Sequence, residues 1–259
     1  MKYFIMTDLE GPAGVNRWVQ TREGETPEKR AAMRLLTAEV NAAADGLFDA
    51  DPDADVLVYD GHGTGGIVFE ELDPRVRVIM HGAGMKLPCH LDSSFDALLF
   101  VGQHAMADTP NAPLCHTYSS RRIEFYRLNG ALIGEIGCLA AIVGEMGVPT
   151  IFLAGDDRAC AEASAFVPGI ATVATKQGLG IELALHLPAP RACADIRAGT
   201  ARAVQLLPAI SPVRLPEPYE LEIRVQQGAS IDGYVRAGMK AIDERTVVRS
   251  GPGILPLFP

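Results

Sequence analysis

Apolar positions along this chain fall into short blocks that switch between two periods. KYFIMTD at 2–8 is short and apolar and predicts a buried strand. A helix is expected from TPEK, with Thr26 as N-cap and Pro27 at the first helical position. Leu36, Val40, Ala44 and Leu47 then keep helical spacing, so one face of that helix packs on a sheet. After the polar break DPDAD, VLVYD (56–60) and VRVIM (76–80) predict two more strands, and DALLFVGQHA (96–105) predicts the most apolar one. RRIEFYRLNGALIG reads as a hairpin, because Asn129-Gly130 suits a two-residue turn with positive φ at both centres. GEIGCLAAIVGEMG predicts a helix ending near Gly147, and PTIFLAGDD a strand with acids at its end. A short helix from Arg158, a strand near IATVATK and a long helix over RACADIRAGTARAVQLL follow. ISPVRLPEPYE (210–220) reads as a linker and YELEIRV as a half-exposed strand.

Strands alternating with helices imply an α/β fold with a mainly parallel, doubly wound sheet. The expected organisation is a catalytic α/β portion over 1–209. A small C-terminal α+β portion over 210–259 packs on it or continues it. In such sheets, sites form beyond the carboxyl ends of the strands, and those ends carry the chemistry here. The first reads TDLEG: Asp8 and Glu10, two apart, point the same way if extended, and repel unless a cation or proton separates them. The second reads YDGHG, giving Asp60 and His62; the third reads GQHA, giving His104. Each residue alone has a plain structural reading. Three strand tips converging with carboxylates and imidazoles suit zinc or manganese better than calcium. Glu135, opening the helix after the hairpin, adds a further oxygen or simply complements the helix dipole.

GHGTGG within that second tip also fits the spacing of a dinucleotide loop. The fingerprint needs a sizeable helix and an acid about 20 residues on. Asp73-Pro74 stops any helix early, and MHGAGMK carries no carboxylate, so the match is read as accidental. There is no P-loop motif. In LCHTYSS (114–120), Cys115 and His116 are neighbours and face opposite sides if extended, which argues against a thiol–imidazole pair. His116 alone can move protons beside a metal. His81, His90 and His186 read as structural or surface residues.

Composition narrows the partners. A net charge of −9 without a basic run argues against nucleic acid and anionic membranes. With 48% hydrophobic and 21% charged residues the balance is that of a globular protein. Asp8 and Glu10 interrupt the first apolar stretch too soon for a signal peptide, and no segment is apolar enough to span a membrane, so a cytoplasmic location is expected. Five scattered cysteines without C-x-x-C predict free thiols.

TDLEG, DGHG, GQHAMA, CHT, NGALIGEIG, GVPTIFLAGDD and VATKQGLG, in this order over residues 1–180, resemble the zinc-dependent D-aminopeptidases associated with bacterial dipeptide transport. The resemblance implies an enzyme releasing N-terminal D-amino acids from short peptides at a two-zinc centre. It also implies a homo-oligomer, a decameric ring around an interior channel. Carried over motif by motif, the metal ligands fall on Asp8, Glu10, His62, His104 and Glu135, and the active-site histidine on His116. The mechanism so implied has Asp8 shared between two ions, Glu10 and His104 completing one site, and His62 and Glu135 the other. A metal-activated water attacks the amide, and His116 stabilises the oxyanion or protonates the leaving amine. The chain departs from the family at Tyr59, where Asn is usual, and at Leu139, where G-x-N-A has Asn. The sequence ends in TVVRSGPGILPLFP, where the resemblance leads one to expect a closing helix. Other readings are a metal-dependent amidase for a different small amide, and a non-catalytic metal- or nucleotide-binding protein.

Overall fold

The computed structural model describes residues 1–22, 24, 26–80 and 86–259. In chain order the first half consists of β1 (Lys2–Thr7), α1 (Pro27–Ala50), β2 (Asp55–Asp60), β3 (Arg77–Met80) and β4 (Ala97–Gln103), then β5 (Ile123–Leu128) and β6 (Ala131–Ile133). The second half holds α2 (Glu135–Glu145), β7 (Thr150–Asp156), α3 (Asp157–Phe166), β8 (Ala171–Gly180) and β9 (Leu183–His186). It ends with α4 (Ala189–Leu206), β10 (Tyr219–Val225), α5 (Asp232–Arg236), β11 (Lys240–Ala241) and β12 (Thr246–Gly251).

Seven strands form the main sheet in the order β3-β2-β1-β4-β7-β8-β9. All neighbours are parallel except β9, which closes one edge antiparallel to β8. β4 and β7 are buried at every position, which requires cover on both faces. Two helix pairs supply it: α1 with α4, and α2 with α3. The expected doubly wound α/β architecture is therefore observed.

Local chemistry explains why the elements start where they do. The Thr26 hydroxyl accepts the Lys29 amide at 3.1 Å and Pro27 fills a position that needs no amide donor. Leu36, Val40, Ala44 and Leu47 are all fully buried, as their spacing predicts. Asn129 and Gly130 adopt φ of 52° and 79°, the two positive values expected of the turn between β5 and β6.

A second, antiparallel sheet runs β11-β12-β10-β5-β6. It joins the hairpin at 123–133 to strands beyond residue 219, and its core centres on Leu221, Ile223, Val247 and Ile142. β10 alternates buried and more open residues, as its sequence predicts. β9 has no counterpart among the expected strands. Its four residues are all at least partly open, so they carry no apolar run to detect.

Candidate metal centre

Strand order decides which side chains meet. β1 lies between β2 and β4, so the loops leaving their carboxyl ends share one crevice. Asp8 and Glu10 follow β1, His62 follows β2, and His104 follows β4 directly. Asp8 and Glu10 lie on a bend rather than an extended strand, yet both are buried and converge with His104. Each of the three offers a ligand atom within 4.8 Å of the others. His104, His116 and Glu135 form a second such group. All six residues singled out from sequence thus border one site.

The imidazoles are oriented alike. His104 Nδ1 bonds the Ala105 carbonyl at 2.8 Å, and His116 Nδ1 bonds the Leu114 carbonyl at 2.9 Å. His62 Nδ1 lies 3.3 Å from the Gly65 carbonyl. Each ring thereby turns Nε2 toward carboxylates, the arrangement that prepares an imidazole for metal binding. His104 Nε2 lies 3.2 Å from Asp8 Oδ2 and 3.5 Å from Glu135 Oε1; His62 Nε2 lies 3.4 Å from Glu10 Oε1. His104 Nε2 and Glu10 Oε2 are buried without a hydrogen-bond partner. Buried polar atoms are rarely left so. A cation among these donors satisfies both and separates three carboxylates, so the residues present fit a metal.

The expected trio of Asp8, Glu10 and His104 is one of the two groups brought together, and further contacts join His62 and Glu135 to it. His62 faces Glu10 and Glu135 faces His104, because β2 and β4 flank β1 on opposite sides. Asp8 lies between, with Gln103 Nε2 at 3.3 Å and the Leu9 amide at 2.8 Å on its carboxylate.

Protonation in this site follows burial and crowding. Burial raises the Asp8 carboxyl, and the neighbouring Glu10 charge adds to it. Burial pushes Glu135 up to about 7 against the opposing pull of His104. Burial disfavours the charged form of His62, but the Glu10 charge and hydrogen bond, with Asp8, outweigh it and raise the ring to about 9. His116 goes the other way: burial, then the His104 charge, lowers it to about 3, so it is neutral at working pH. With Nδ1–H given to Leu114, its Nε2 presents a lone pair 4.0 Å from Glu135 Oε1. The ring stacks on His104 at 4.0 Å and meets the Trp18 edge at 5.9 Å, which fixes its plane.

The supporting residues were mostly invisible in the sequence. Lys176, buried within β8, donates to the carbonyls of Glu10, Pro12 and Val15 and so fixes the loop that carries Glu10. The Tyr118 amide donates to Glu135 Oε1 at 2.7 Å from a backbone with φ of 57°, a conformation a bulky side chain seldom takes. Gly61 has a stated need to be glycine: a Cβ there would lie 2.5 Å from the Thr7 carbonyl oxygen, so the loop with His62 could not close on β1. A small recess of about 30 Å³, walled by Met6, Leu87, Phe100 and Leu139, opens beside Asp8 and Glu135.

Other sequence candidates fall elsewhere. Asp60 accepts the Gly66 amide at 2.9 Å, so it closes the GHGTGG loop on itself. That loop leads only to a 3-10 turn at Phe69–Glu71, without the helix a dinucleotide site requires. Burial raises the Cys115 thiol, which is spent on the Thr109 carbonyl at 3.7 Å. All five cysteines are free. His90 is exposed and His186 accepts the Gly14 amide at 3.0 Å, both structural or surface as read; His81 lies outside the described residues. Among the described residues no helix is long and apolar enough to cross a membrane.

Glu39 on α1 offers a test of how the neighbouring loop is held. Its Oε1 accepts the Ala13 amide at 2.8 Å, while Oε2 is buried without a partner. Burial raises it from an ordinary 4.5 to about 8, opposed by the Ala13 bond and the Lys176 charge. A raised acid binds its proton more tightly folded than unfolded. Its contribution to stability is full below 4.5 and is lost as pH rises through about 8. Glu39→Gln keeps an acceptor for Ala13 and is expected to flatten that part of the metal-free protein's stability curve. Urea midpoints on either side of the window check it, and an unchanged slope would mean that Glu39 is not the source.

A doubly wound α/β scaffold with carboxylates and imidazoles converging at its strand tips defines a metallohydrolase-type site. The chain belongs to the D-aminopeptidase family, whose model matches residues 1–257. It is 29% identical over 225 residues to the D-aminopeptidase of Bacillus subtilis (strain 168), covering 86% of this chain and 81% of that one. Its structure is similar to that of the Zn-dependent D-aminopeptidase DppA from Bacillus subtilis, a self-compartmentalizing protease. The TM-score is 0.88 at 26% identity, over 99% of this chain and 94% of the other.

Proposed function

We propose that the protein is a two-zinc aminopeptidase that releases N-terminal D-amino acids from short peptides. The observation that carries this reading is His104 Nε2, buried, unbonded and facing Asp8 and Glu135. Glu10 and His62 would hold one ion, His104 and Glu135 the other, with Asp8 common to both. Zinc there would supply Lewis acidity, polarising the scissile carbonyl and making water acidic enough to attack near neutral pH. The chain's own residues do the rest. His116, neutral and fixed by Leu114 and Trp18, takes up a proton at Nε2 and passes it to the leaving amine. The recess beside Asp8 receives the substrate's first side chain, with room for only a few heavy atoms.

The test is metal content per chain, with cleavage of D-alanyl and L-alanyl p-nitroanilides before and after chelation. Two zinc ions and chelator-sensitive, D-selective cleavage are expected. Equal cleavage of both isomers would instead favour an amidase of different specificity, and metal without cleavage a binding protein.

The same reading includes assembly as a homodecamer acting in the cytoplasm. Leu179, Ile181, Leu183 and Leu185 on the β8–β9 edge are 50–63% exposed, an apolar strip suited to burial against another copy. The mass in solution, by light scattering, checks it.

A further inference from the structure

The cleft above the metal ligands has about 400 Å³, within the roughly 300–1,000 Å³ usual for small-molecule sites. Its charges are segregated. Among the described residues, the acids lining it are Asp8, Glu10 and Glu135, all at the metal centre, and the Lys or Arg side chains lining it are Arg22 and Arg121. In a chain of net charge −9, two guanidinium groups on the cleft wall form a local reversal of sign.

The two arginines differ in what they do. Arg22 packs and braces the fold, since its guanidinium lies 3.4 Å from the Trp18 ring centroid and its Nε donates to Ser120 Oγ at 3.1 Å. Arg121 is exposed and makes no hydrogen bond or ion pair with any described residue, so no fold-level contact accounts for it. Its backbone is nonetheless fixed. The amides of Arg122 and Ile123 donate to the Ser119 carbonyl at 3.1 and 3.0 Å, forming a tight turn into β5. Just before that turn, the Tyr118 amide grips Glu135. One short segment thus holds a metal ligand at one end and presents a free guanidinium to the cleft at the other.

We propose that Arg121 is a specificity-determining residue that binds the terminal carboxylate of the peptide, making free short-peptide acids the preferred substrate class. This rests on the aminopeptidase reading above. A short peptide carries opposite charges at its two ends. With its first residue at the metal centre, its carboxylate would meet the cleft wall that carries Arg22 and Arg121, and Arg22 is already engaged by Trp18 and Ser120. A planar guanidinium can take both carboxylate oxygens at once.

The experiment compares kcat/KM for D-alanyl-D-alanine and for its C-terminal amide. It uses the zinc-loaded wild type, Arg121→Gln and Arg121→Lys. The wild type is expected to favour the acid by about fivefold, the size of an ion pair at a solvated rim. Arg121→Gln is expected to bring the acid-to-amide ratio to about one, chiefly through KM for the acid, and Arg121→Lys to keep part of it. A wild-type ratio near one would overturn the proposal. So would an Arg121→Gln variant that lowers both rates equally and keeps the wild-type ratio, the mark of a merely structural role. Cleavage of neither peptide by the wild type would overturn the aminopeptidase reading and this one with it.

Discussion

His104→Ala is expected to abolish peptide cleavage and to strip the centre of metal. His104 Nε2 is within 3.2 Å of Asp8 and 3.5 Å of Glu135, so in the proposed centre it would stand beside both the shared carboxylate and another ligand of one ion. Outer-shell partners of metal ligands are already worth about 10–100-fold in affinity, so a ligand's loss should exceed about a hundredfold. Metal analysis after gel filtration and a D-alanyl substrate assay measure both effects. Without metal the variant also leaves buried carboxylates facing one another, so some loss of stability accompanies it. Circular dichroism separates that from unfolding. A folded His104→Ala protein with wild-type zinc and turnover would remove His104 from the ligand set.

His116→Ala is expected to give a different signature: kcat reduced by about 10²–10⁴-fold, the range for a positioned acid–base group, with both zinc ions retained. The distinction matters because His116 also lies within metal-binding reach of His104 and Glu135. Loss of one zinc from His116→Ala would make the residue a ligand. Full occupancy with slow turnover would make it the proton carrier. Its low pKa of about 3 has a further consequence. An acid limb well above that value would be expected to come from protonation of the proposed metal ligands rather than of His116.

Much of this was legible in the sequence, for physical reasons that differ by element. The buried strands announced themselves because a parallel sheet covered on both faces needs continuous apolar runs, as in ALLFV. Thr26-Pro27 and Asn129-Gly130 were legible because their conformations suit few other residues. Asp8, Glu10, His62 and His104 were legible as candidates because strand tips collect chemistry in such folds, whereas Glu135 at a helix start and His116 in a loop rested mainly on the family resemblance. What stayed hidden depends on long-range pairing. That β5 joins β10, some 95 residues away, leaves no local mark. Nor does the order β2-β1-β4, and without it the partnership of His62 with Glu10 could not be read. Lys176 was hidden for a related reason: its three acceptors are backbone carbonyls of a loop over 160 residues earlier.

The central position of β1 also sets a timetable for biosynthesis. Residues 2–7 leave the ribosome before both of their neighbours, residues 55–60 and 97–103. At roughly 5–20 residues per second, the second neighbour follows by roughly 5–20 s. Throughout that interval the strand YFIM has no complete place to dock, with both edges open until β2 emerges and the β4 edge open after it. Slow translation or tight spacing of ribosomes on the message would lengthen or crowd this window. Yield of soluble enzyme should therefore respond to chaperones that shield the segment from β1 to β4, well before any metal can bind.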